Sequence, residues 1–197
     1  MLNPHPNPLL QRGDTSKKKV KMEIYYLKKD EFLKSLNREE LEKFSDGRKY
    51  VSDEKYLEHL CGIYLIKYVA KHFYDVKNTE IEYQNRKPFF KSKEICFSIS
   101  HSNNIVLAAF NNRNIGVDVE FMRPRDYKKI MKRYDCMDEN ITKEGFYRFW
   151  TLHEAEIKLN SMVKSSYSAI LEDEYMLTCV CDDILVTNVG MREITVS

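Results

Sequence analysis

The feature that most constrains the fold is a series of three strand-length segments in the middle of the chain. Residues 95–100 and 115–121 alternate apolar and polar side chains, and residues 105–110 form a short, continuous apolar run. Both patterns are typical of β-strands. The Asn-rich residues 111–114 separate the second segment from the third, so the sequence predicts a β-hairpin at this point.

Segments with helical periodicity lie on both sides of this β-rich region. Residues 53–74 carry an apolar stripe after a candidate cap at Ser52, and residues 143–160 follow a candidate cap at Thr142. Both ends of the chain thus combine helix and strand signals, which predicts an α+β fold of two similar-sized α+β halves. Weaker signals predict short helices within 30–44 and at 126–134, and strands at 22–27, 81–83, 175–181 and 184–189.

Length and charge narrow the classes of function. The 197 residues are enough for one core, or for two small halves that share one, here 22–110 and 111–197. Charged residues make up 31% of the chain, yet the net charge is only +2, which does not favour nucleic-acid binding. No apolar run approaches the ~18 residues of a membrane span. Residues 1–21 are Pro- and Asn-rich and then basic, which predicts a disordered leader; a basic tail that contacts a partner is the alternative.

The cysteines form no recognisable disulfide or zinc pattern. Their number is odd and no two have CxxC spacing. Cys179 and Cys181 would share one face of a strand, but two thiolates alone make a poor metal site, and buried core thiols are favoured. We therefore predict free thiols in a reducing, cytoplasmic setting. The other three cysteines are Cys61, Cys96 and Cys136.

Two carboxylates lie on one face of the predicted strand 115–121. Side chains alternate across a strand, so Asp118 and Glu120 point to the same side, about 7 Å apart. A hard divalent cation with oxygen ligands suits this pair. A half-exposed strand with an acidic polar face explains the pair equally well, because D-x-E is a common pattern.

The predicted helix at 143–160 places a third carboxylate near a lysine. At ~100° per residue, Trp150, Glu154 and Lys158 fall along one edge of the helix. Apolar residues cover most of the other faces, which predicts a buried helix. Glu154 and Lys158 then suit a metal ligand beside a phosphate-binding cation, although an i,i+4 surface pair worth about 0.3–0.5 kcal/mol is the common alternative.

Two further segments could bind phosphate. The segment Ser98-Ile-Ser-His-Ser102 ends a predicted strand, and its hydroxyl and imidazole groups can donate to phosphate oxygens. Ser100 and His101 point to opposite faces of a strand, so they do not readily form a nucleophilic dyad. In Asn85-Arg-Lys-Pro88 two cations precede a rigid proline, an arrangement that suits either a phosphate or a solvated loop.

In this order the four segments resemble the Sfp-type 4'-phosphopantetheinyl transferases, over roughly residues 22–182. The family pattern joins G-K-P, S-x-S-H-S, G-[IV]-D-[IV]-E and W-x-x-K-E-x-x-x-K, the last on a helix. The resemblance implies a pseudo-dimer of two α+β halves with the substrate between them. It also implies transfer of phosphopantetheine from coenzyme A to a carrier-protein serine, with release of 3',5'-ADP. The matching segments here are 86–88, 98–102, 116–120 and 150–158.

The resemblance implies a role for each matched residue. Asp118, Glu120 and Glu154 would bind Mg²⁺. Our candidate base for the carrier serine is Glu154, or a water that it orients, because we expect Glu154 to be buried beside the reacting centre. His101 and Lys158 would stabilise the departing 3',5'-ADP. The partner would be an apo-acyl carrier protein or carrier domain and the protein a monomer, with no part for nucleic acid or membrane. The implied coenzyme A contacts are Lys87 and Pro88 along the adenine and 3'-phosphate, Ser100, His101 and Lys158 at phosphate groups, and Lys43 as a further phosphate-binding lysine.

The chain departs from the family pattern at three places. His153 replaces the first lysine of W-x-x-K-E, and Arg86 replaces the glycine before Lys-Pro. The arginine that the family carries on its first long helix has no match. These departures leave a second function open, a coenzyme A or carrier-binding module with weakened turnover, against which the three retained carboxylates argue. The residues in the region of the missing arginine are Leu57 and Glu58, with Lys55 and His59 nearby.

A basic stretch follows the predicted metal strand. It could meet a negative surface around the carrier serine, and a solvated helix face is an equally good explanation. The sequence leaves open whether the carrier serves fatty-acid, polyketide or peptide synthesis. The residues of this stretch are Arg123, Arg125, Lys128, Lys129, Lys132 and Arg133.

Overall fold

The structure is a computed structural model, and it describes residues 20–134, 140–184 and 186–195. Within these ranges no helix is both long and apolar enough to cross a membrane. Helices and strands occur in separate runs along the chain, which makes the fold α+β, as predicted. The elements in chain order are β1 (Val20–Lys28), α1 (Lys29–Ser35), α2 (Arg38–Glu42), α3 (Asp53–Tyr74), β2 (Ile81–Gln84), β3 (Lys87–Phe90), β4 (Cys96–Ser102), β5 (Ile105–Asn111), β6 (Ile115–Phe121), α4 (Tyr127–Met131), a 3₁₀ turn (Lys132–Tyr134), α5 (Lys143–Leu159), β7 (Ser165–Leu171), β8 (Tyr175–Cys181) and β9 (Val186–Glu193).

The first sheet has four strands in the order β4, β5, β1, β9. β1 pairs antiparallel with β5 and parallel with β9. Helix α3 covers one face of this sheet, where Leu60 belongs to one buried cluster with Leu27 of β1 and Phe110 of β5. The helix begins where the Ser52 side chain accepts a hydrogen bond from a first-turn amide. The helix predicted at residues 53–74 is therefore confirmed together with its cap.

The second sheet has three antiparallel strands in the order β6, β8, β7. Helix α5 lies against it, and the hydroxyls of Thr151 on α5 and Thr178 on β8 hydrogen-bond at 2.7 Å. Thr142 caps the helix as predicted, because its side chain accepts from the Gly145 amide. The prediction that this helix is buried nearly all round was wrong. Only one of its faces meets the sheet, and Ile157 on the outer side is 58% exposed.

The two sheets pack face to face and share a core. Met22 and Ile24 of the first sheet belong to the same buried cluster as Val117 and Leu177 of the second. The layers therefore follow one another as α3, first sheet, second sheet, α5. The carboxylate-bearing strand β6 lies in the second sheet, between the shared core and α5.

The predicted hairpin between residues 105–110 and 115–121 was wrong. β5 pairs with β4 and β1, whereas β6 pairs with β8 in the other sheet. Every residue of β5 is buried, so a central strand with neighbours on both edges explains its continuous apolar run. The Asn-rich residues 111–114 therefore connect two layers and do not close a hairpin.

Other boundaries differ in smaller ways. β1 begins at Val20, two residues before the predicted start of the fold; the rest of the predicted leader, 1–19, lies outside the described residues. β3 and β7 were not predicted. Lys87 and Pro88 belong to β3, which pairs with β2 as a hairpin, and Asn85 and Arg86 form the turn between them.

The thiols are free, as predicted, in the part of the chain that the structure describes. Cys61, Cys179 and Cys181 are buried, Cys96 is partly buried, and Cys136 lies outside the described residues.

Candidate functional site

The two faces of β6 have opposite characters. Val117 and Val119 belong to the buried cluster between the sheets. Asp118, on the other face, is only 5% exposed, and Glu120 is half-buried on the same side. The predicted alternation is therefore confirmed, and both carboxylates lie on the side of the strand that faces α5.

Gly116 explains how closely α5 approaches this face. A Cβ atom at this position would lie 2.1 Å from the Ala155 carbonyl oxygen and 2.7 Å from the Leu159 amide nitrogen. Such contacts involve backbone on both sides, so only glycine fits without moving the helix. The close approach brings the C-terminal half of α5 against β6, where Lys158 reaches Asp118.

Asp118 is held from two directions but keeps one oxygen free. Its Oδ1 accepts from the Ser100 hydroxyl at 2.8 Å and from the Lys158 ammonium at 2.8 Å. Lys158 also donates to the Val117 carbonyl at 3.1 Å. The Asp118 Oδ2 is buried and has no hydrogen-bond partner among the residues that the structure describes. A buried charged oxygen without a partner is costly, so this atom marks a position where a ligand could bind.

Glu120 is held by two donors of its own. The Ser102 hydroxyl donates to Oε2 at 3.2 Å, and the side chain of Trp150 on α5 also hydrogen-bonds to this carboxylate. Burial, together with the negative charge of Asp118, raises the pKa of Glu120 above its ordinary value. Two carboxylates that repel one another in a partly buried site favour a cation between them.

The predicted metal ligands are only partly assembled. Asp118 and Glu120 supply the hard oxygen donors that Mg²⁺ prefers, and the unpaired Asp118 oxygen fits such an ion. Among the described residues, however, no group of three His, Cys, Asp or Glu side chains could hold a metal ion as it stands. Glu154 is half-buried on α5, but Lys158, one turn further on, is the residue that reaches Asp118.

His101 lies on the opposite side of β4 from Ser100, as predicted. Its Nδ1 lies 3.4 Å from Oε2 of Glu58, a residue of α3. Glu58 is only 4% exposed, and it also accepts from Lys55 at 2.7 Å and from Lys29 at 3.3 Å. Partial burial lowers the pKa of His101, the Glu58 charge opposes that shift, and Lys158 lies close enough to add to it.

Lys87 and Pro88 lie on β3, in the hairpin with β2. The Lys87 ammonium donates to the Asn114 side-chain oxygen at 2.7 Å and to the Ile115 carbonyl at 2.9 Å. Burial lowers the pKa of this lysine. Arg86, at the turn, has a φ of 69°, a left-handed conformation that favours glycine. The family glycine that Arg86 replaces is therefore explained by backbone conformation.

The two remaining positions of interest from the sequence are Lys43 and His153. Lys43 is exposed at the end of α2, and no hydrogen bond or ion pair among the described residues joins it to the other candidate site residues. His153 lies among aromatic side chains, with its ring centroid 5.0 Å from that of Tyr134 and 6.5 Å from that of Trp150.

Sequence analysis assigned no separate role to several residues of this site. The regular spacing of Ser98, Ser100 and Ser102 could have revealed Ser102, because it matches the spacing of the two carboxylates. Nothing in the sequence marks Glu58, since its partners come from three separate elements. Gly116 was placed on the carboxylate face, but its contact with α5 depends on tertiary packing.

Several curated proteins are similar in sequence to this chain. No family model matches the chain. The 4'-phosphopantetheinyl transferase HetI of Nostoc is 32% identical over 95 residues, which are 40% of either protein. The 4'-phosphopantetheinyl transferase Sfp of Bacillus subtilis is 28% identical over 130 residues, 59% of this chain and 58% of Sfp. A Bacillus subtilis 4'-phosphopantetheinyl transferase, ffp, is 26% identical over 153 residues, 68% of this chain and 66% of ffp.

The chain thus spans between 40% and 66% of the lengths of these three relatives. Five curated relatives reach significance, and all five carry the name 4'-phosphopantetheinyl transferase. The motif resemblance predicted the same family from residues 86–158. By sequence, the chain is accordingly a relative of the 4'-phosphopantetheinyl transferases.

Proposed function

We propose that this protein transfers the 4'-phosphopantetheinyl group of coenzyme A to a serine of an apo-acyl carrier protein or carrier domain, with Mg²⁺ as cofactor. The observation that carries the proposal is the buried, unpaired Oδ2 of Asp118. Asp118 lies on β6, and the pKa of Glu120, two residues further along the same strand, is raised. The curated relatives, named for this reaction, agree with it.

The reaction is a phosphoryl transfer, which needs positioning and charge neutralisation more than covalent help. The carrier serine oxygen forms a bond to the phosphorus that bears the pantetheine arm. The bond from that phosphorus to the bridging oxygen breaks, and its electron pair leaves with 3',5'-ADP. The serine proton must pass to a base. A Mg²⁺ ion held by the carboxylates supplies positive charge to the pyrophosphate.

Asp118, Glu120 and Glu154 are the proposed metal ligands. Asp118 and Glu120 are already fixed by hydrogen bonds from β4 and α5. Glu154 is free of such bonds among the described residues, and it lies one helical turn from Lys158. This freedom also makes Glu154 the proposed base, directly or through a water that it orients.

Lys158 and His101 are the proposed cations for the phosphates. The Lys158 side chain is 30% exposed while it contacts Asp118, so it borders both the carboxylate and the solvent. His101 lies within the electrostatic reach of Lys158. Cations at this place stabilise the charge that develops on the departing 3',5'-ADP.

Coenzyme A would extend from this centre toward the β2–β3 hairpin. Lys87 and Pro88 are the proposed contacts for the adenine and 3'-phosphate, and Lys43 is proposed as a further phosphate contact. The Lys87 ammonium lies where β6 begins, since it donates to the Ile115 carbonyl. Asn114, its other partner, donates to the Leu159 carbonyl at 2.6 Å and so connects the start of β6 to the end of α5.

The carrier would dock on the basic stretch after β6. Arg123 and Arg125 are exposed or half-exposed there, and α4 adds further lysines. A carrier with a negative surface around its serine complements such a patch. We further propose a monomer that works in the cytoplasm and whose two halves, 22–110 and 111–197, form a pseudo-dimer. Each of the two sheets is covered by one long helix, α3 or α5, which supports this arrangement.

Intact-mass spectrometry of the carrier tests the proposal. Protein, coenzyme A and Mg²⁺ are incubated with a panel of apo-carriers from fatty-acid, polyketide and peptide synthesis. We expect at least one carrier to gain the mass of a phosphopantetheinyl group, and Asp118→Ala protein is the control that should leave every carrier unmodified. Failure of all carriers under conditions where the protein is folded would disprove the proposed transfer.

A second candidate function is a coenzyme A-binding or carrier-binding module with weak turnover. Glu58 favours it, because a buried carboxylate lies in the region where the family carries an arginine on its first long helix. The same experiment separates the two functions. Coenzyme A binding by calorimetry without any mass change in the carriers would support the module.

A further inference from the structure

Three alternating serines of β4 form a regular row of contacts with β6. Each hydroxyl accepts a hydrogen bond from an outward-facing backbone amide of β6. The spacing of two residues is the same on both strands, so the pattern repeats three times in register. The pairs are Ser98 with Val117 at 3.1 Å, Ser100 with Val119 at 3.3 Å and Ser102 with Phe121 at 3.0 Å.

This row replaces a backbone ladder between two strand edges. Within the described residues β4 pairs only with β5, and β6 pairs only with β8. The amides of Val117 and Val119 are buried between the sheets and would lack partners without the hydroxyls. Buried amides without partners are costly, so the serines join the first sheet to the second.

Two of the three hydroxyls also donate to a carboxylate. Ser100 donates to Asp118 at 2.8 Å and Ser102 donates to Glu120 at 3.2 Å. By the same register, the residue opposite Ser98 is Gly116, which has no side chain. Each donating hydroxyl is itself oriented by the amide that it accepts from, and this directs its single proton toward the carboxylate.

The hydrogen-bonding capacity of Ser100 is fully used. A hydroxyl has one donor and two acceptor positions. Ser100 donates to Asp118 and accepts from the Val119 amide at 3.3 Å and from the Lys158 ammonium at 3.0 Å. It therefore has no position left for a phosphate oxygen, which is the contact that the family resemblance implied.

We propose that Ser100 and Ser102 are positioning residues for Asp118 and Glu120, and that Ser98 only joins the two sheets. By fixing Oδ1 of Asp118 and Oε2 of Glu120, the two serines set the orientation in which each carboxylate faces the cation. This inference rests on the proposed Mg²⁺ role of the two carboxylates. Donors that orient ligating carboxylates affect metal affinity by about 10–100-fold.

Ser98→Ala and Ser102→Ala form a matched pair for the test. Both lose the bond to a β6 amide, but only Ser102→Ala loses a bond to a carboxylate. Affinity for Mn²⁺, as a paramagnetic substitute for Mg²⁺, is measured by electron paramagnetic resonance with and without coenzyme A. We expect both variants to unfold at a lower temperature than wild type, whereas only Ser102→Ala loses about tenfold or more in Mn²⁺ affinity.

Ser102→Thr keeps the hydroxyl, so its Mn²⁺ affinity should match that of wild type. Ser100→Ala should lose Mn²⁺ affinity as Ser102→Ala does. Equal losses in Ser98→Ala and Ser102→Ala, or no binding of Mn²⁺ by wild type in either condition, would overturn the inference. Because the readout is cation binding, it is independent of turnover. If the affinities follow the expected pattern but no carrier is modified, the proposed transfer fails and the positioning role stands.

Discussion

The two helix-covered regions of the protein each bury one carboxylate, and the two carboxylates differ in how completely they are paired. Glu58, on α3, is 4% exposed and Asp118, on β6 against α5, is 5% exposed. Glu58 has partners on both oxygens, Lys29 on Oε1 and Lys55 on Oε2. Asp118 has both of its donors on Oδ1 and none on Oδ2. Similar burial therefore accompanies a satisfied ion pair in one region and an incomplete one in the other.

The difference indicates where a ligand is needed. A buried charge that the protein neutralises by itself contributes to structure, and here it also contacts His101. A buried charge with an unpaired oxygen has a cost that a bound cation would remove. The same chemical change, from carboxylate to amide, should therefore affect mainly the transfer activity at Asp118 and mainly the stability at Glu58.

The largest effect is expected for Asp118→Asn. The amide keeps the shape but removes the charge that the proposed cation requires, so transfer to the carrier should fall by at least about 100-fold. Stability should change little, because Lys158 is 30% exposed and can be solvated without its partner. Initial rates from intact-mass spectrometry measure the first effect and thermal unfolding the second. Turnover within a few-fold of wild type would remove Asp118 from the metal site.

Substitution of one glycine in each region tests how closely the helix packs on its sheet. Gly116→Ala puts a Cβ 2.1 Å from the backbone of α5, so we expect the free energy of unfolding to fall by about 3 kcal/mol. Gly62→Ala, on α3, meets the Ile99 side chain at 3.3 Å and the Val106 side chain at 4.0 Å. Its gain in helix propensity offsets this crowding, and stability should stay within about 1 kcal/mol of wild type.

Urea unfolding of both variants measures the difference. Similar losses in the two would mean that α5 is no more closely packed on its strand than α3 on the first sheet. A Gly116→Ala protein with wild-type stability would contradict the close approach itself.

Glu58→Gln should act mainly on stability. It removes the charged partner of Lys55 and leaves Lys29 with the more distant Glu54 at 3.8 Å, so we expect a loss of about 1–3 kcal/mol near neutral pH. Burial alone would raise the pKa of Glu58, but Lys55, His101 and Lys29 hold it below its ordinary value. The stabilisation is therefore present above the pKa of an unfolded glutamate and is lost as the pH falls through the lower folded pKa. Unfolding at several pH values should show the variant approaching wild type in acid; a constant difference would contradict this coupling.

The smallest effect is expected on the titration of His101. Its pKa lies below the ordinary value because of partial burial and the charges of Lys55, Lys158 and Lys29, while Glu58 alone raises it. Glu58→Gln removes the opposing charge, so the His101 pKa should fall further. Nuclear magnetic resonance titration of the imidazole in both proteins measures the shift. An unchanged or raised pKa would show that Glu58 and His101 are not in contact.

Part of the candidate site was predictable because it depends on local periodicity. Strand alternation placed Asp118 and Glu120 on one face, and helical spacing placed Glu154 one turn from Lys158. The cap at Ser52 and the apolar stripe that follows located α3 within the chain. These patterns act over a few residues, and tertiary packing did not override them.

Other parts could not be predicted because they depend on which strands become neighbours. The sequence predicts the run 105–110 as one arm of a hairpin. In the structure β1 and β4 pair with its two edges, so no edge remains for β6. The row of serines on β4 can accept hydrogen bonds from the β6 amides only because β6 lies beside β4. Lys158 was expected at a phosphate, and its contacts with Asp118 and Ser100 require the close approach that Gly116 allows.

By itself, the amino-acid sequence determined the element types, the faces of β6 and α5, and the family that the chain resembles, because short-range spacing encodes all three. Only the tertiary structure decided that β6 pairs in a second sheet and not with β5, and that both carboxylate oxygens of Glu58 have lysine partners. It also decided that, among the described residues, one carboxylate oxygen of Asp118 has no hydrogen-bond partner. Such facts follow from contacts between segments far apart in the chain. Hydrogen-bond capacity can be counted only after those segments have come together.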